Sequence, residues 1–569
     1  MGTDWWTDCD DAVAIRLMAR AAQTNRINLL GVAINAAFEY SVPSLKRFLE
    51  LEGLCDIPLG IDLAATDFSG KPPYQKRLAE QLPEVSNADA EDAVRLYRRL
   101  LAEANEKIEI AEIGFLQAIT AVLESGADDI SPKSGAELFE EKVTKVWVMA
   151  GKWDADGERE HNFCLNERSR IAAERFCRLC PVPVTFLGWE IGYGVITGDQ
   201  LDRNDHLYTL LSDHGSAGGR HSWDPMLVLM AIIGDEEAAG YGTVTGTARV
   251  DERDGSNYFT VSENGKHKYV TKKHSNVFYE SQINNIISAK IIENQKFDEE
   301  RALYASSDVI IKNCRFEGEG DGESALKESA DISALGCYFD LRYPFWHDTG
   351  VYIGECELTE RCRAALWYSE NIRIENSLLH GIKALRECKD AEIHGCDIIS
   401  AEFGWSVDGI RMSDTRAEGE YFMLRSSSLE FNNTVLFGKY SFQYITDSVF
   451  DGCIFNTKDA FWHAKNVTVK NSVINGEYLA WYSENITFEN CKISGTQPFC
   501  YCRGLRLINC EMTDADLAFE KSEVEATITS PVISIKNPRS GFITLPYAEE
   551  IILDEATECR ITETEPRGK

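Results

Sequence analysis

Apolar residues along this chain follow two rhythms. Up to about residue 290, short apolar runs alternate with stretches of helical period. Residues 29–34, 108–113, 146–149 and 184–187 predict buried strands, and residues 42–51 and 91–105 predict helices between them. This alternation predicts an α/β domain over residues 1–290 with a mostly parallel sheet. Ligands of such sheets bind at the carboxyl ends of the strands. Residues 243–266, rich in Gly, Asp and Ser, predict a loop or hairpin, and 277–287 a closing helix.

From residue 291 to 569 the rhythm changes. Ser377, Cys396, Thr415, Thr434, Cys453, Ser472, Cys491 and Cys510 stand nineteen residues apart, each preceded by Asn, Gly or Asp. Two apolar columns keep the same period, one from Ile374 through Ile393 and Met412 to Leu507, the other from Leu379 through Ile398 and Ala417 to Met512. A period near twenty with strand-like triplets and turn residues marks a solenoid. It is too short for helix pairs and lacks leucine-rich-repeat spacing. An all-β, right-handed parallel β-helix of about 19 residues per coil is expected, with most cysteines as small inward residues. Around Cys314, Cys337 and Cys356 the period drifts, as terminal repeats do.

Other columns put polar and aromatic residues on one face of the β-helix. Lys383, Glu402 and Asp459 share one, Trp462 and Trp481 a second, and His463 a third. Rings beside hydrogen-bonding groups suit a sugar-binding groove. Aromatic ladders also simply stabilise a coil. Glu402 and Asp459 are three coils apart, about 14 Å at the spacing of paired strands, too far for a tight acid–base pair.

Composition narrows the partners. A net charge of −34 argues against nucleic acid or an anionic membrane surface. No apolar window is long enough to span a bilayer, and no signal peptide is visible. Seventeen cysteines, an odd number with only Cys177 and Cys180 in a Cys-x-x-Cys pair, favour reduced thiols and a cytoplasmic location.

The sharpest chemical feature is at the start. Asp4, Asp8, Asp10 and Asp11 crowd into eight residues beside Trp5 and Trp6, directly before an apolar helical run. One or two Asp would be helix caps; four repel one another unless a hard cation neutralises them. A strand normally leads into such a loop, so a longer N-terminus is expected.

The first half resembles the inosine–uridine nucleoside hydrolase family, which opens with Asp-x-Asp-x-Gly-x-Asp-Asp-Ala. Asp4 is similar to the second Asp and Asp10-Asp11-Ala12 to the closing triplet, with two extra residues, Asp8 among them, in between. Gly114-Phe115-Leu116-Gln117, Ala150-Gly151, Glu160-His161-Asn162 and Trp223-Asp224-Pro225 follow in the family's order. The resemblance implies a site for Ca²⁺, or another divalent cation, formed by Asp4, Asp11, Asp224 and the Leu116 or Gln117 carbonyl, with Asp8 as an added ligand. Asp4 would also be the general base. Asp10, Asn35, Glu160, His161, Asn162 and Trp223 would surround the substrate. The family's His directly before Asp224 is missing, and His221 or His161 would replace it as leaving-group acid. Gly2 and Trp6 also depart from the motif, and Trp5 and Trp6 would crowd out a nucleoside. The second half resembles a bacterial β-helix family of unassigned activity, on segments that include Gly322-Glu323-Ser324 and Lys458-Asp459-Ala460-Phe461-Trp462.

The expectation is a Ca²⁺-dependent hydrolase of an N-ribosyl or related glycosyl bond, acting on a small nucleoside or glycoside. The β-helix would be a specificity or assembly module, with homo-oligomerisation left open. The alternatives are a β-helix lyase or hydrolase of carbohydrate and a non-catalytic sugar-binding protein.

Overall fold

The computed structural model describes residues 1–6, 8–318 and 324–566. Thr7 in the acidic run, and Gly322 and Glu323 in the second resemblance, lie outside the described residues. The chain divides into two compact units, Met1–Ser288 and Ala289–Lys569.

The first unit is built on an eleven-stranded sheet. Its two-residue strand Gly2–Thr3 pairs in parallel with Val32–Ile34 on one side and Ile108–Glu112 on the other. Outward from there run Leu59–Ile61 and Glu91–Asp92 in one direction, and Val143–Met149, Val184–Leu187 and His267–Lys272 in the other, all parallel. The Gly-rich stretch is a hairpin: Tyr241–Val250 and Ser256–Val261 pair antiparallel. Strand side chains alternate between two cores. Val32, Ile34, Trp147 and Met149 join residues of helix Asp10–Gln23, and Ala33, Val146 and Val148 join Leu96, Ile119 and Phe176. The sheet is therefore covered on both faces, which is why its strands read as continuous apolar runs. Strand order reverses at Gly2–Thr3, so Asp4 leaves the sheet at the switch point where a crevice opens.

The second unit is a parallel β-solenoid. The column from Ile374 to Leu507 is paired in register from coil to coil in one sheet. The column from Leu379 to Met512 does the same in a second sheet. Both columns fill one continuous core. Early coils are longer, with Ser307 opposite Ala330 and Thr349 opposite Glu370. The seventeen cysteines are free thiols. Those of Cys396, Cys453, Cys491 and Cys510 donate to carbonyls of the coil before.

The residue before each small corner residue has a left-handed backbone. From Asn376 through Gly395, Asp414, Asn433, Gly452, Asn471 and Asn490 to Asn509, φ lies between 46° and 63°. Asn, Asp and Gly tolerate that region best, which explains the sequence column. A second set is not of this kind. Asp459, Phe461 and His463 are left-handed in one coil, and Tyr478, Ala480 and Tyr482 in the next. Their amides bond across coils, Asp459 to the Glu477 carbonyl (3.0 Å), Phe461 to Ser441 (3.0 Å) and His463 to Trp481 (2.9 Å). Coil-to-coil bonding thus holds bulky residues where each costs about 1–2 kcal/mol.

Two glycines separate these causes. Gly438 is required by space, since a Cβ there would lie 2.0 Å from the Gly419 carbonyl oxygen. Gly452 is required only by its backbone, in the Asn/Gly column. Gly438→Ala should lower the melting temperature of the second unit sharply, whereas Gly452→Asn should change it by less than about 1 kcal/mol equivalent; differential scanning calorimetry measures both.

Candidate metal centre

Strand Gly2–Thr3 ends on Asp4, and helix Asp10–Gln23 starts on Asp10 and Asp11. The loop between them kinks at Trp5, whose φ is 47°. Its surroundings hold that conformation. The Trp5 ring is buried against Phe48 and Tyr74, and its indole N–H donates to Ser44 Oγ at 2.8 Å. The Tyr74 hydroxyl donates to the carbonyls of Trp6 (3.1 Å) and Asp8 (2.8 Å), and Gln75 donates to that of Trp5. The kink turns the Trp5 amide onto Asp11 Oδ1 (3.2 Å) and the Trp6 amide onto Asp4 Oδ1 (3.1 Å). The Thr3 hydroxyl also donates to Asp11.

Asp224 arrives from the other end of the unit, in the first turn of helix Trp223–Ile233, and its amide donates to Asp10 Oδ2 at 3.2 Å. Carboxylate oxygens of Asp10, Asp11 and Asp224 lie within 4.8 Å of one another. These three and Asp4 are at most 9% exposed. Burial, then mutual repulsion, raises Asp10, Asp11 and Asp224 well above the usual carboxylate range. Burial likewise pushes Asp4 up to about 7, against the opposing hydrogen bond from Trp6. Two helix N-termini face the group and favour negative charge.

This donor set fits a divalent cation, which takes hard oxygen ligands of this kind. Buried polar atoms nearby support the fit. Neither atom of the Gln117 side-chain amide has a hydrogen-bond partner, nor does Asn35 Nδ2. Unsatisfied buried groups cost about 1–3 kcal/mol each, a cost a ligand removes. Asn35 follows strand Val32–Ile34, and its Oδ1 accepts from the Phe115 amide (3.0 Å). Gly114 permits this approach: a Cβ there would lie 2.5 Å from the Asp4 amide nitrogen and 2.6 Å from Asn35 Oδ1. The Leu116 carbonyl already accepts from the Thr120 amide (3.0 Å), so the Gln117 side chain is the freer group on this segment.

Glu160 and Asn162 are also buried. Glu160 caps helix His161–Cys164, accepting from the Asn162 amide and, at 2.9 Å, from the Gly151 amide. Burial pushes its carboxyl up to about 7, against these hydrogen bonds. Asn162 Nδ2 donates to the Met149 carbonyl at 2.9 Å. His161 is exposed, its ring stacked on Trp6 (5.9 Å) and near Phe115.

The geometry gives several of the expected site residues other partners. Asp8, expected as a metal ligand, spends both oxygens on Arg220, at 2.7 Å from Nε and 2.6 Å from Nη2. Burial would raise Asp8, but the Arg220 hydrogen bonds and charge outweigh it and hold the carboxyl below its ordinary range. Asp10, expected on substrate hydroxyls, has a carboxylate oxygen within 4.8 Å of those of Asp11 and Asp224. Trp5 packs into the core beneath the loop and does not crowd the site. Trp6 instead joins Phe38, Phe68 and Phe115 in a small cluster. His221, expected as an acid, accepts from the Gly194 amide through Nδ1 (3.0 Å). Gaining a second proton would break that bond, so the ring is built to offer Nε2–H as a neutral donor. Burial and the Arg220 charge lower its pKa in the same sense.

Composition and motif hid other residues. Thr3, Tyr74, Gln75 and Arg220 shape the loop from outside the acidic run. Trp189 and Tyr193 stack at 4.6 Å, Tyr193 lies on His221 at 4.8 Å, and Trp223 donates to the Trp189 carbonyl at 2.7 Å. Trp189 and Tyr193 are exposed, so this stack beside Asp224 presents aromatic surface to solvent. Their only sequence signal was proximity to a strand's carboxyl end.

On the β-solenoid, the aromatic columns are ladders. Trp462 and Trp481 stack on each other at 5.4 Å and 4°, and each indole donates to a carbonyl of the following coil. His463 is sandwiched between Tyr444 and Tyr482 at 4.8 and 5.0 Å. One face of Trp462 and of Trp481, and both faces of His463, are spent on neighbouring rings. Lys383 pairs with Glu402 at 3.3 Å, and Asp459 is buried.

Among known proteins, a family model described as a protein of unknown function (DUF3737) matches residues 290–564. No curated protein matches the chain. Similar solved structures include a plant nucleoside hydrolase, PpNRh1, at 16% identity and TM-score 0.40, covering 51% of this chain and 98% of that one. An inosine–uridine preferring nucleoside hydrolase from Bacillus anthracis aligns at 14% identity and TM-score 0.37, over 50% of this chain and 97% of that one. A purine-preferring ribonucleoside hydrolase from Gardnerella vaginalis aligns at 15% and 0.38, over 50% and 98%. At these values the likenesses add nothing to what the sheet order and the acid cluster already say. Among the described residues no helix is long and apolar enough to cross a membrane.

Raised carboxyl pKa values give a signed prediction. The folded unit holds protons that the unfolded chain releases near pH 4, so this contribution to stability is full below that pH and is lost as pH rises through 7. With chelator present, the melting temperature of the first unit should fall from pH 5 to pH 8. Added Ca²⁺ should raise it most at pH 8, where the acids are ready to ionise. A melting temperature indifferent to Ca²⁺ at every pH would remove the metal reading.

Proposed function

We propose that the first unit is a Ca²⁺-dependent hydrolase of an N-ribosyl or related glycosyl bond, with the solenoid as a specificity or assembly module. The observation that carries this reading is the buried group Asp4, Asp10, Asp11 and Asp224 at the sheet's switch point. The ordered motifs shared with nucleoside hydrolases support it residue by residue.

A bound cation would neutralise the acids and make water more acidic. Asp4, Asp10, Asp11, Asp224 and the Leu116 or Gln117 carbonyl would hold it. Asp4 accepts the proton of the attacking water. Asn35, with its unpartnered Nδ2, and Asn162 and Glu160 at the adjacent strand end grip the sugar hydroxyls. Contacts that tighten as the sugar flattens toward an oxocarbenium ion raise the rate rather than the affinity alone. Trp189, Tyr193, His221 and Trp223 offer a stacking face to a flat leaving group, and His221 Nε2–H a hydrogen bond to it. This favours a heterocyclic leaving group over another sugar.

The solenoid reading has less support. Its Trp462 and Trp481 stack on each other, His463 lies between two Tyr rings, and Glu402 is paired with Lys383.

Release of free sugar from a panel of nucleosides and small glycosides, with Ca²⁺ and with chelator, tests the proposal. Asp4→Asn should lower kcat by about a hundred- to ten-thousandfold. Asp459→Ala and Glu402→Ala should leave turnover unchanged. The reverse pattern would move the chemistry to the solenoid.

A further inference from the structure

Asp8 is the acid that the metal reading leaves unexplained. It stands in the two-residue extension of the acidic loop, between Asp4 and Asp10, yet its carboxylate groups with Cys9 and His214 and not with the trio. Both are engaged by Arg220, and Oδ1 also accepts from the Cys9 amide at 2.7 Å. Arg220 lies four residues before Asp224, in the short strand Arg220–His221 paired with Ile196–Thr197. Its guanidinium is about one-third exposed and rests 5.8 Å from the Trp223 ring centroid. A mobile cation on a long stem is therefore tethered beside a set of buried, mutually repelling carboxylates. Nothing would neutralise them more readily than that guanidinium, which presents five donors in a geometry made for carboxylates. In the structure it does not reach them, because Asp8 holds it in a two-pronged pair.

We propose that Asp8 is a positioning residue that restrains Arg220, keeping an internal cation out of the acid cluster so that the cluster remains open to a metal ion. This rests on the reading that Asp10, Asp11 and Asp224 bind a divalent cation. The extension of the loop then has a purpose: a cluster with a neighbouring arginine needs an acid to hold that arginine aside. The guanidinium then stays over the Trp223 ring, 5.8 Å from its centroid.

Calorimetric titration of the full chain with Ca²⁺ separates the alternatives, with circular dichroism as a check on folding. Asp8→Asn should weaken Ca²⁺ binding by about tenfold or more, because the released Arg220 competes for the acids. Asp8→Asn combined with Arg220→Gln should recover affinity to within about threefold of wild type, because the competitor is gone. Arg220→Gln alone should bind at least as tightly as wild type, a result that stands even if Asp8→Asn does not fold. If the double variant binds as weakly as Asp8→Asn, or if Arg220→Gln alone loses affinity, Asp8 and Arg220 act as ligand or brace and the inference falls. Unchanged binding by Asp8→Asn also overturns it. Absence of Ca²⁺ binding by wild type would overturn the metal reading itself, and is seen before any variant is made.

Discussion

Four buried carboxylates, three of them within 4.8 Å of one another, repel, and the first unit is arranged around that repulsion. The loop from Asp4 to Asp10 is kinked at a left-handed Trp5 and clamped from below by Tyr74 and Gln75. Asp10, Asp11 and Asp224 sit in the first turns of two helices. The sheet order places the whole assembly where neighbouring connections diverge. Each of these features fixes an acid where a free chain would not leave it. Burying like charges is expensive unless an opposite charge completes the set, so the scaffold makes sense with a cation in place.

The second unit answers a different constraint. A coil of nineteen residues must turn sharply several times, and it does so with left-handed residues. At one corner Asn, Asp and Gly supply them, and their amides donate to carbonyls of the following coil. At another, Tyr, Phe and His adopt the same backbone, their amides donating to carbonyls of the coils above and below. The aromatic ladders follow from this. Residues at one turn position in successive coils are held one strand spacing apart, which is a stacking distance. The rings along this face thus belong to the rod's own cohesion.

Much of this was legible in the sequence, for identifiable reasons. The nineteen-residue period fixed both solenoid sheets and their register, because in-register stacking leaves no freedom for the columns. The Asn, Gly or Asp before each corner residue announced its backbone. The strands at 108–113 and 184–187 were visible as apolar runs because both faces of the sheet are covered. The acids of the metal loop were visible by density alone. Partners brought in from afar were not legible: Arg220 for Asp8, Tyr74 for the loop carbonyls, and the Gly194 amide for His221. Hydrogen bonds between residues remote in sequence leave no periodic trace. The two-residue extension around Asp8 was read as an added ligand, whereas its side chain answers a charge over two hundred residues away.

The solenoid's register also bears on how its surface can vary. Both sheets stay in phase from Thr349 to Leu507, yet the step from Thr349 to Glu370 takes more residues than the steps after it. The surplus falls in the connection between strands Glu357–Leu358 and Glu370–Glu375, and pairing resumes in the same columns beyond it. Length along the rod and decoration at its corners are therefore independent quantities. A coil can carry an outward loop of its own while its neighbours keep their contacts, so the rod is a fixed ruler on which features can be placed at steps of one strand spacing.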